Sequence, residues 1–295
     1  KNGEQPSLPD KTATIAQWLQ NMPSYNHNEE QYWQVAEQTA FTLPQSRHVT
    51  DWKYADLGIA TAKLDADNTR FLLREAHHVY HTDVSVLLNT ALALSLTEWT
   101  GNEQLVVWQE NHGRHLPLPD VTRTTGWFTA MYPVLLHVHD DALGNQVKNI
   151  KEQLKSLPGH GLGYGIRTCW GDEHNATRIE IPSVRFNYLG QFDSEFDNDL
   201  FSFCEEQPGL GTDPANTMTA KLELNAMITG GRLKLDVYYN RRAHEETTIV
   251  QFISSFLRRL ETILDHIRNE REIHFTPSDF DAVKLDQAEL DALFS

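Results

Sequence analysis

Cysteine is nearly absent from this chain: its 295 residues include two, Cys169 and Cys204. That count excludes a disulfide framework and a cysteine-rich zinc site, and it fits a reducing compartment. Positive charge is also scarce. Lys and Arg number 25 against 41 Asp and Glu, a formal charge of −16. Nucleic-acid binding is excluded on that balance, because phosphate contacts need clustered cations. No apolar run reaches the roughly 18 residues of a membrane span, and Lys1-Asn2-Gly3-Glu4 opens no signal peptide. The expectation is a soluble, cytoplasmic protein with no membrane partner, in which the sequon Asn175-Ala176-Thr177 carries no weight. There is no Gly-x-Ser-x-Gly elbow and no Lys-bearing phosphate loop.

What is present is an ordinary globular composition, 40% apolar and 10% aromatic, long enough for one large domain or two lobes. Residues 1–50 are polar and broken by Pro6, Pro9, Pro23 and Pro44, with short amphipathic pieces around Ile15-Trp18-Leu19 and Tyr32-Trp33-Val35. They read as a tail or crossover with too little apolar surface to fold alone. From about residue 57 the texture is α/β. A strand at 57–64 leads to a helix capped near Asp65–Asp67, and a second helix runs from Thr82-Asp83 to about Trp99. Strands follow at 105–108, 132–138 and 183–189, with a helix at 142–156 between the last two. Alternating strands at 221–228 and 232–238 flank Thr229-Gly230-Gly231, a hairpin turn. A polar loop is expected at 193–216. The last long helix is the clearest, with Ile249, Phe252, Ile253, Phe256, Leu257, Leu260, Ile263, Leu264 and Ile267 on one stripe. Residues 276–295 are acidic and read as an interdomain linker.

The chemistry concentrates where an apolar strand runs into Gln109-Glu110-Asn111-His112-Gly113-Arg114-His115. Alternation puts Val106, Trp108 and Glu110 on one strand face. A carboxylate continuing such a face is expected to be partly desolvated, which suits it to proton transfer. Arg114 is expected to anchor the turn through a carboxylate pair. Other candidates read as structural. In His77-His78-Val79-Tyr80-His81-Thr82-Asp83 the histidines close one helix and Thr82 or Asp83 caps the next. His112/His115 and His137/His139 have metal-ligand spacing but no third ligand nearby. Gly159-His160-Gly161-Leu162-Gly163-Tyr164-Gly165 follows a helix and Pro158 instead of a strand, so it is no dinucleotide loop. A tight irregular loop that lets a thin ligand or another backbone approach is the better reading.

Four segments in order resemble the epimerization domains of nonribosomal peptide synthetases. Glu110-Asn111-His112-Gly113-Arg114-His115 is similar to the family's E-G-H-G-R-E. The stretch from Arg123 through Gly126-Trp127-Phe128-Thr129 to Tyr132-Pro133-Val134 is similar to R-T-V-G-W-F-T-x-x-Y-P-V. Pro158 to Gly165 fits P-x-x-G-x-G-Y-G, and Phe186-Asn187-Tyr188-Leu189-Gly190-Gln191-Phe192-Asp193 reads F-N-Y-L-G-Q-F-D unchanged. Weaker echoes are Leu8-Pro9-Asp10-Lys11-Thr12 and Thr276-Pro277-Ser278-Asp279-Phe280.

The resemblance implies a chloramphenicol-acetyltransferase-like α/β fold, a mixed sheet with flanking helices, two such lobes facing each other across a tunnel. This chain would be the C-terminal part: a remnant of the N-terminal lobe and crossover at 1–50, the C-terminal lobe at 51–275 and a linker at 276–295. It implies no resident cofactor. An upstream peptidyl carrier domain in the same polypeptide would deliver a thioester on its phosphopantetheine arm, and a condensation domain or module would follow. Glu110 and Tyr188 would be catalytic, Tyr188 as proton relay or enolate donor. Asn187, His112, Arg114, Trp127, Gly161 and Gly163 would line the tunnel.

Two departures stand out. Asn111 and His115 replace the family's Gly and second Glu, and the H-H-x-x-x-D-x-x-S-W motif that carries the family's catalytic histidine is nowhere in the sequence. The expectation is an epimerase lacking most of its N-terminal lobe and inactive alone. The competing readings are a non-catalytic carrier-docking relic and a peptide-bond-forming condensation domain.

Overall fold

The computed structural model describes residues 10–22, 29–115, 119–139, 141–170, 181–192, 211–280, 287 and 289–290. The sequon, the 193–210 part of the expected polar loop, Leu8-Pro9 and most of the tail beyond Phe280 lie outside them. Contacts divide the chain into two compact units: residues 35–109, 133–157 and 179–295 form a sheet unit, and residues 1–34, 110–132 and 158–178 form a turn unit.

The sheet unit is a mixed α/β structure. Its strands are β1 (Leu57–Lys63), β2 (Gln104–Asn111), β3 (Ala130–His137), β4 (Val184–Gln191), β5 (Leu222–Thr229) and β6 (Arg232–Asn240), in the order β1-β6-β5-β4-β2-β3. β4 runs parallel to both β2 and β5, while β6 is antiparallel to β5 and β1. Register explains the alternation. Val107, Val184, Leu222 and Tyr239 lie in one cross-strand row, and Gln109, Phe186, Leu224, Val237 and Ala60 in the next but one; all are buried. The row between them carries an Arg185–Glu223 pair at 2.5 Å alongside Trp108 and Tyr238, and in the row beyond, Asp236 is bonded to Thr61 and Lys234. One face therefore belongs to the core and the other carries paired charges.

Helices α3 (Ala66–Arg74), α4 (Val84–Thr100), α5 (Leu143–Lys155) and α7 (Glu246–Asn269) flank the sheet. Asp65 and Asp83 cap α3 and α4 by accepting the N–H groups of Asn68 and Val86. Every residue of α4 from Val86 to Leu96 is buried, as expected of a central helix. Eight of the nine stripe residues of α7 are buried; Leu257 is half-buried. At the hairpin, Gly230 and Gly231 take φ of 57° and 69°, the left-handed pair that a two-residue turn requires.

Two local expectations are corrected. The histidines at 77, 78 and 81 do not close α3, which ends at Arg74 because the Ala76 N–H reaches back to Phe71 O and stops the helix. The glycine-rich segment is also only partly a loop. Pro158–Gly161 is a tight turn, and α6 (Leu162–Trp170) begins straight after it, carried by buried Leu162 and Tyr164 despite two helical glycines.

The start of the expected linker is built into the sheet unit. Lys151 of α5, with no exposed side-chain surface, meets Asp279 at 2.6 Å and donates to Tyr80 O. Asp279 accepts from Thr276 N, Ser278 N–H donates to Glu152, and His274 stacks on Tyr80 at 5.0 Å. No helix among the described residues is long and apolar enough to cross a membrane.

Candidate active site

The turn unit holds most of the candidate residues. Just before it, Gln109 fixes β2 by donating a buried 2.5 Å hydrogen bond to Asn89 of α4, inside the sheet unit. Glu110 and Asn111 then end the strand, both half-buried. The turn that follows is held by backbone requirements. Gly113 has φ of 64°, and a Cβ there would meet Phe128 O at 1.7 Å, so only glycine fits.

Asn111 brackets this turn. Its carbonyl accepts from Gly113 N at 2.8 Å, while its amide donates to Tyr132 Oη at 3.1 Å and to the carbonyl of His160. The residue that departs from the family pattern thus ties the end of β2 to the start of β3 and to the Pro158–Gly161 turn. Arg114 corrects another expectation. Its guanidinium donates to the carbonyls of Val121, Thr124 and Gly126 and lies 4.0 Å over the Phe128 ring. Among the described residues its partners are carbonyls, not a carboxylate, because the Val121–Gly126 loop offers three of them in reach of one planar fork.

That loop is itself secured. Ala13 N donates to Asp120 O at 2.8 Å, Thr124 Oγ1 to Ala13 O, and Arg123 to Asp10 O. Helix α1 (Ile15–Asn21) follows, capped by Thr14 and Gln17 in a reciprocal box, and its Trp18 meets Phe128 edge-on at 5.1 Å. Phe128 is 4% exposed and Trp127 83% exposed. The neighbours of this motif therefore have opposite fates, one in the core and one in solvent.

Gly161 and Gly163 stand where side chains approach. A Cβ on Gly161 (φ 80°) would meet the Tyr132 ring at 2.0 Å, and one on Gly163 would meet Glu29 Oε2 at 1.9 Å. Glu29 in turn accepts from the Trp33 indole at 3.0 Å, and Trp33 packs against Tyr164 and Tyr132. Within this unit, the groups that come close to these glycines are its own aromatic and acidic side chains.

Three imidazoles gather beside the bracket. His115 stacks on His160 with ring centres 4.0 Å apart and lies 4.2 Å from His112. Partial desolvation first, although the residue is more than a third exposed, and then the charges of His160 and His112, push His115 down to about 4. His112 Nδ1 accepts from Arg114 N at 3.0 Å, so the neutral ring carries its proton on Nε2. Among the described residues, no group of three or more His, Cys, Asp or Glu side chains is disposed to hold a metal. His160 stands out in the sequence only as the imidazole in a run of glycines.

Asn187 and Tyr188 lie in the sheet unit on β4. Asn187 is paired with Asn225 on the polar face, and Tyr188 with Ala226 on the core face. The ladder slips between Tyr188 and Gln191, where Gly190 has φ of 85°. Burial raises the Tyr188 phenol above its ordinary value of 10.0, so it stays protonated at neutral pH.

The arrangement provides a strand-end carboxylate, Glu110, ahead of a turn fixed by Gly113, Asn111 and Arg114. It can act as a positioned acid or base, and comparison with known proteins narrows its setting. Surfactin synthase subunit 1 of Bacillus subtilis (strain 168) is 34% identical over 307 residues, covering 99% of this chain and 8% of that protein. Tyrocidine synthase 1 of Brevibacillus parabrevis is 33% identical, covering 99% of this chain and 29% of that one. The solved epimerization domain from the third module of tyrocidine synthetase B superposes with a TM-score of 0.79 at 33% identity. That match covers 90% of this chain and 62% of the solved one. The X-domain from teicoplanin biosynthesis shares the fold at 17% identity and a TM-score of 0.61. Residues 1–285 match the family model of the condensation domain, and the chain belongs to that family.

Proposed function

We propose that this chain is part of an epimerization domain of a nonribosomal peptide synthetase. It inverts the α-carbon of an aminoacyl or peptidyl thioester brought in on the phosphopantetheine arm of a carrier domain. The observation that carries the reading is the 33% identity over 90% of the chain to a solved epimerization domain. The intact F-N-Y-L-G-Q-F-D run at Phe186–Asp193 adds to it.

Inversion needs a proton removed from one face of the α-carbon and another delivered to the opposite face. Glu110 is one of the two acid/base groups. The charge that the thioester oxygen develops as the α-proton leaves needs a donor, a role for Tyr188, whose phenol burial keeps protonated. Asn187, His112 and Trp127 line the path of the arm and its cargo on this reading, Arg114 holds the turn, and Gly161 and Gly163 make room for Tyr132 and Glu29. The opposite-face group is a histidine of the H-H-x-x-x-D-x-x-S-W motif, which these 295 residues do not contain. The chain alone is therefore inactive on this reading.

The test loads a carrier domain with an L-aminoacyl group, adds the synthetase's complete domain in deuterated water and follows label at Cα. Glu110→Gln is expected to slow exchange by roughly 10²–10⁴. Unchanged exchange removes Glu110 from the mechanism. Dipeptide formed from two loaded carriers, with no label exchange, would assign condensation instead.

A further inference from the structure

The three imidazoles of the turn unit have no part in the proposed proton exchange, yet the fold brings them together from two distant segments. His112 and His115 follow Glu110 on the β2 turn, and His160 comes from the Pro158–Gly161 turn. His160 holds φ of 52°, a conformation that a non-glycine residue adopts only when its surroundings hold it there. Two contacts do so: Asn111 binds its carbonyl and His115 stacks on its ring.

We propose that His112, His115 and His160 form a proton-sensitive latch. It holds the turn after Glu110 against the Pro158–Gly161 turn while His115 is neutral and stacked on His160, and releases it when His115 is protonated.

Stacked neutral imidazoles at 4.0 Å attract through dispersion, whereas a proton added to the stack brings repulsion between like charges and loses that contact to water. Most charged groups nearby are committed to other partners. Arg114 is committed to the Val121, Thr124 and Gly126 carbonyls and to Phe128. From helix α2 (Glu30–Gln38), Glu30 pairs with Arg167 of α6 at 3.0 Å, and Glu29, just before it, accepts from the Trp33 indole behind Gly163. From β3, the Tyr132 phenol is buried and bonded by Asn111. Asp120 and Arg123 of the loop face Thr122 and Asp10. Glu110 heads the same turn. The charges that act on His115 are those of His160 and His112, and both disfavour its protonation.

The sign is fixed by linkage. His115 titrates at about 4 while stacked on His160 and at its ordinary 6.5 once the stack is broken, so the open form binds more protons between those values. Closure is therefore complete above 6.5 and weakens as pH falls toward 4.

The test is amide hydrogen exchange on the 295-residue chain at pH about 7.5 and about 5.5, corrected for the intrinsic pH dependence of exchange, with the β5–β6 hairpin as internal reference. Opening of segments 111–115 and 158–164 is expected to rise roughly tenfold on acidification relative to that hairpin. His115→Gln, neutral at every pH, is expected to abolish the rise. His160→Gln removes the other half of the stack, and the His115 resonance followed by NMR is then expected to titrate closer to 6.5. A wild-type rise that persists in His115→Gln, or no rise at all, overturns the latch. No epimerase activity enters these readouts, so the latch and the proposed function stand or fall separately.

Discussion

Lys151 Nζ lies 2.6 Å from Asp279 Oδ2, and the lysine side chain has no exposed surface. A buried charge is tolerated only when paired, and removing one partner leaves the other uncompensated. Lys151→Met is expected to destabilise the sheet unit by about 3 kcal/mol, the low end for a buried pair, because Asp279 keeps its Thr276 bonds and some contact with water. The double variant Lys151→Met/Asp279→Asn is expected to recover much of that loss. Denaturant melts of the single and double variants measure the difference.

Asn111 satisfies Gly113 N, Tyr132 Oη and His160 O with one side chain. Asn111→Ala leaves those groups to find water or go unpaired, at a cost of about 1–3 kcal/mol. The loss is expected to be local. Limited proteolysis at 158–165 accelerates while protection of the β5–β6 hairpin is unchanged.

Phe128 and Trp127 are adjacent and opposite in burial, 4% and 83% exposed. Phe128→Ala removes a ring gripped by Trp18 and Arg114 and is expected to cost about 3–5 kcal/mol. Trp127→Ala is expected to change stability by no more than about 0.5 kcal/mol. Its indole is also expected to be quenched by acrylamide far more readily than that of Trp33, which is 1% exposed.

His244 is buried in the sheet unit with the rings of Trp52 and Trp99 centred 6.3 and 5.9 Å away. Burial holds it below the ordinary 6.5. The unfolded chain therefore takes up this proton first, and the stability that neutral His244 contributes is present above 6.5 and lost as pH falls below it. Melting midpoints followed by tryptophan fluorescence are expected to drop between pH about 7.5 and about 5.5, and to drop less in His244→Phe. Equal drops in the two proteins would remove His244 as the source.

Periodicity made the sheet unit legible. The α7 stripe, the capping aspartates of α3 and α4, and the Gly230-Gly231 turn are local signals that tertiary packing reinforces. Lys151 was not legible, because a lysine on an amphipathic helix reads as solvated until a residue far along the chain arrives to pair with it. The turn unit was legible as motifs and opaque as geometry. Glu110 could be singled out by its place at a strand end. The carbonyl partners of Arg114, the Tyr132 ring filling the space at Gly161 and the His115–His160 stack all join segments tens of residues apart, where no spacing rule applies. Gly161 and Gly163 show the limit well. The sequence marks them as places of close approach, and only the fold says what approaches.

The register of β1 with β6, Leu57 opposite Asn240 through Lys63 opposite Lys234, has a consequence for synthesis. Strand β1 is made first of the six and its partner β6 last. At typical elongation rates the interval from Lys63 to Arg232 is on the order of ten to thirty seconds. Throughout that time β1 presents unpaired backbone and the exposed Ile59 side chain to whatever is nearby, the condition under which nascent strands aggregate. The 24-residue helix α7 emerges only after β6, so the core cannot close before then. Folding of this sheet is gated by translation of its final hairpin.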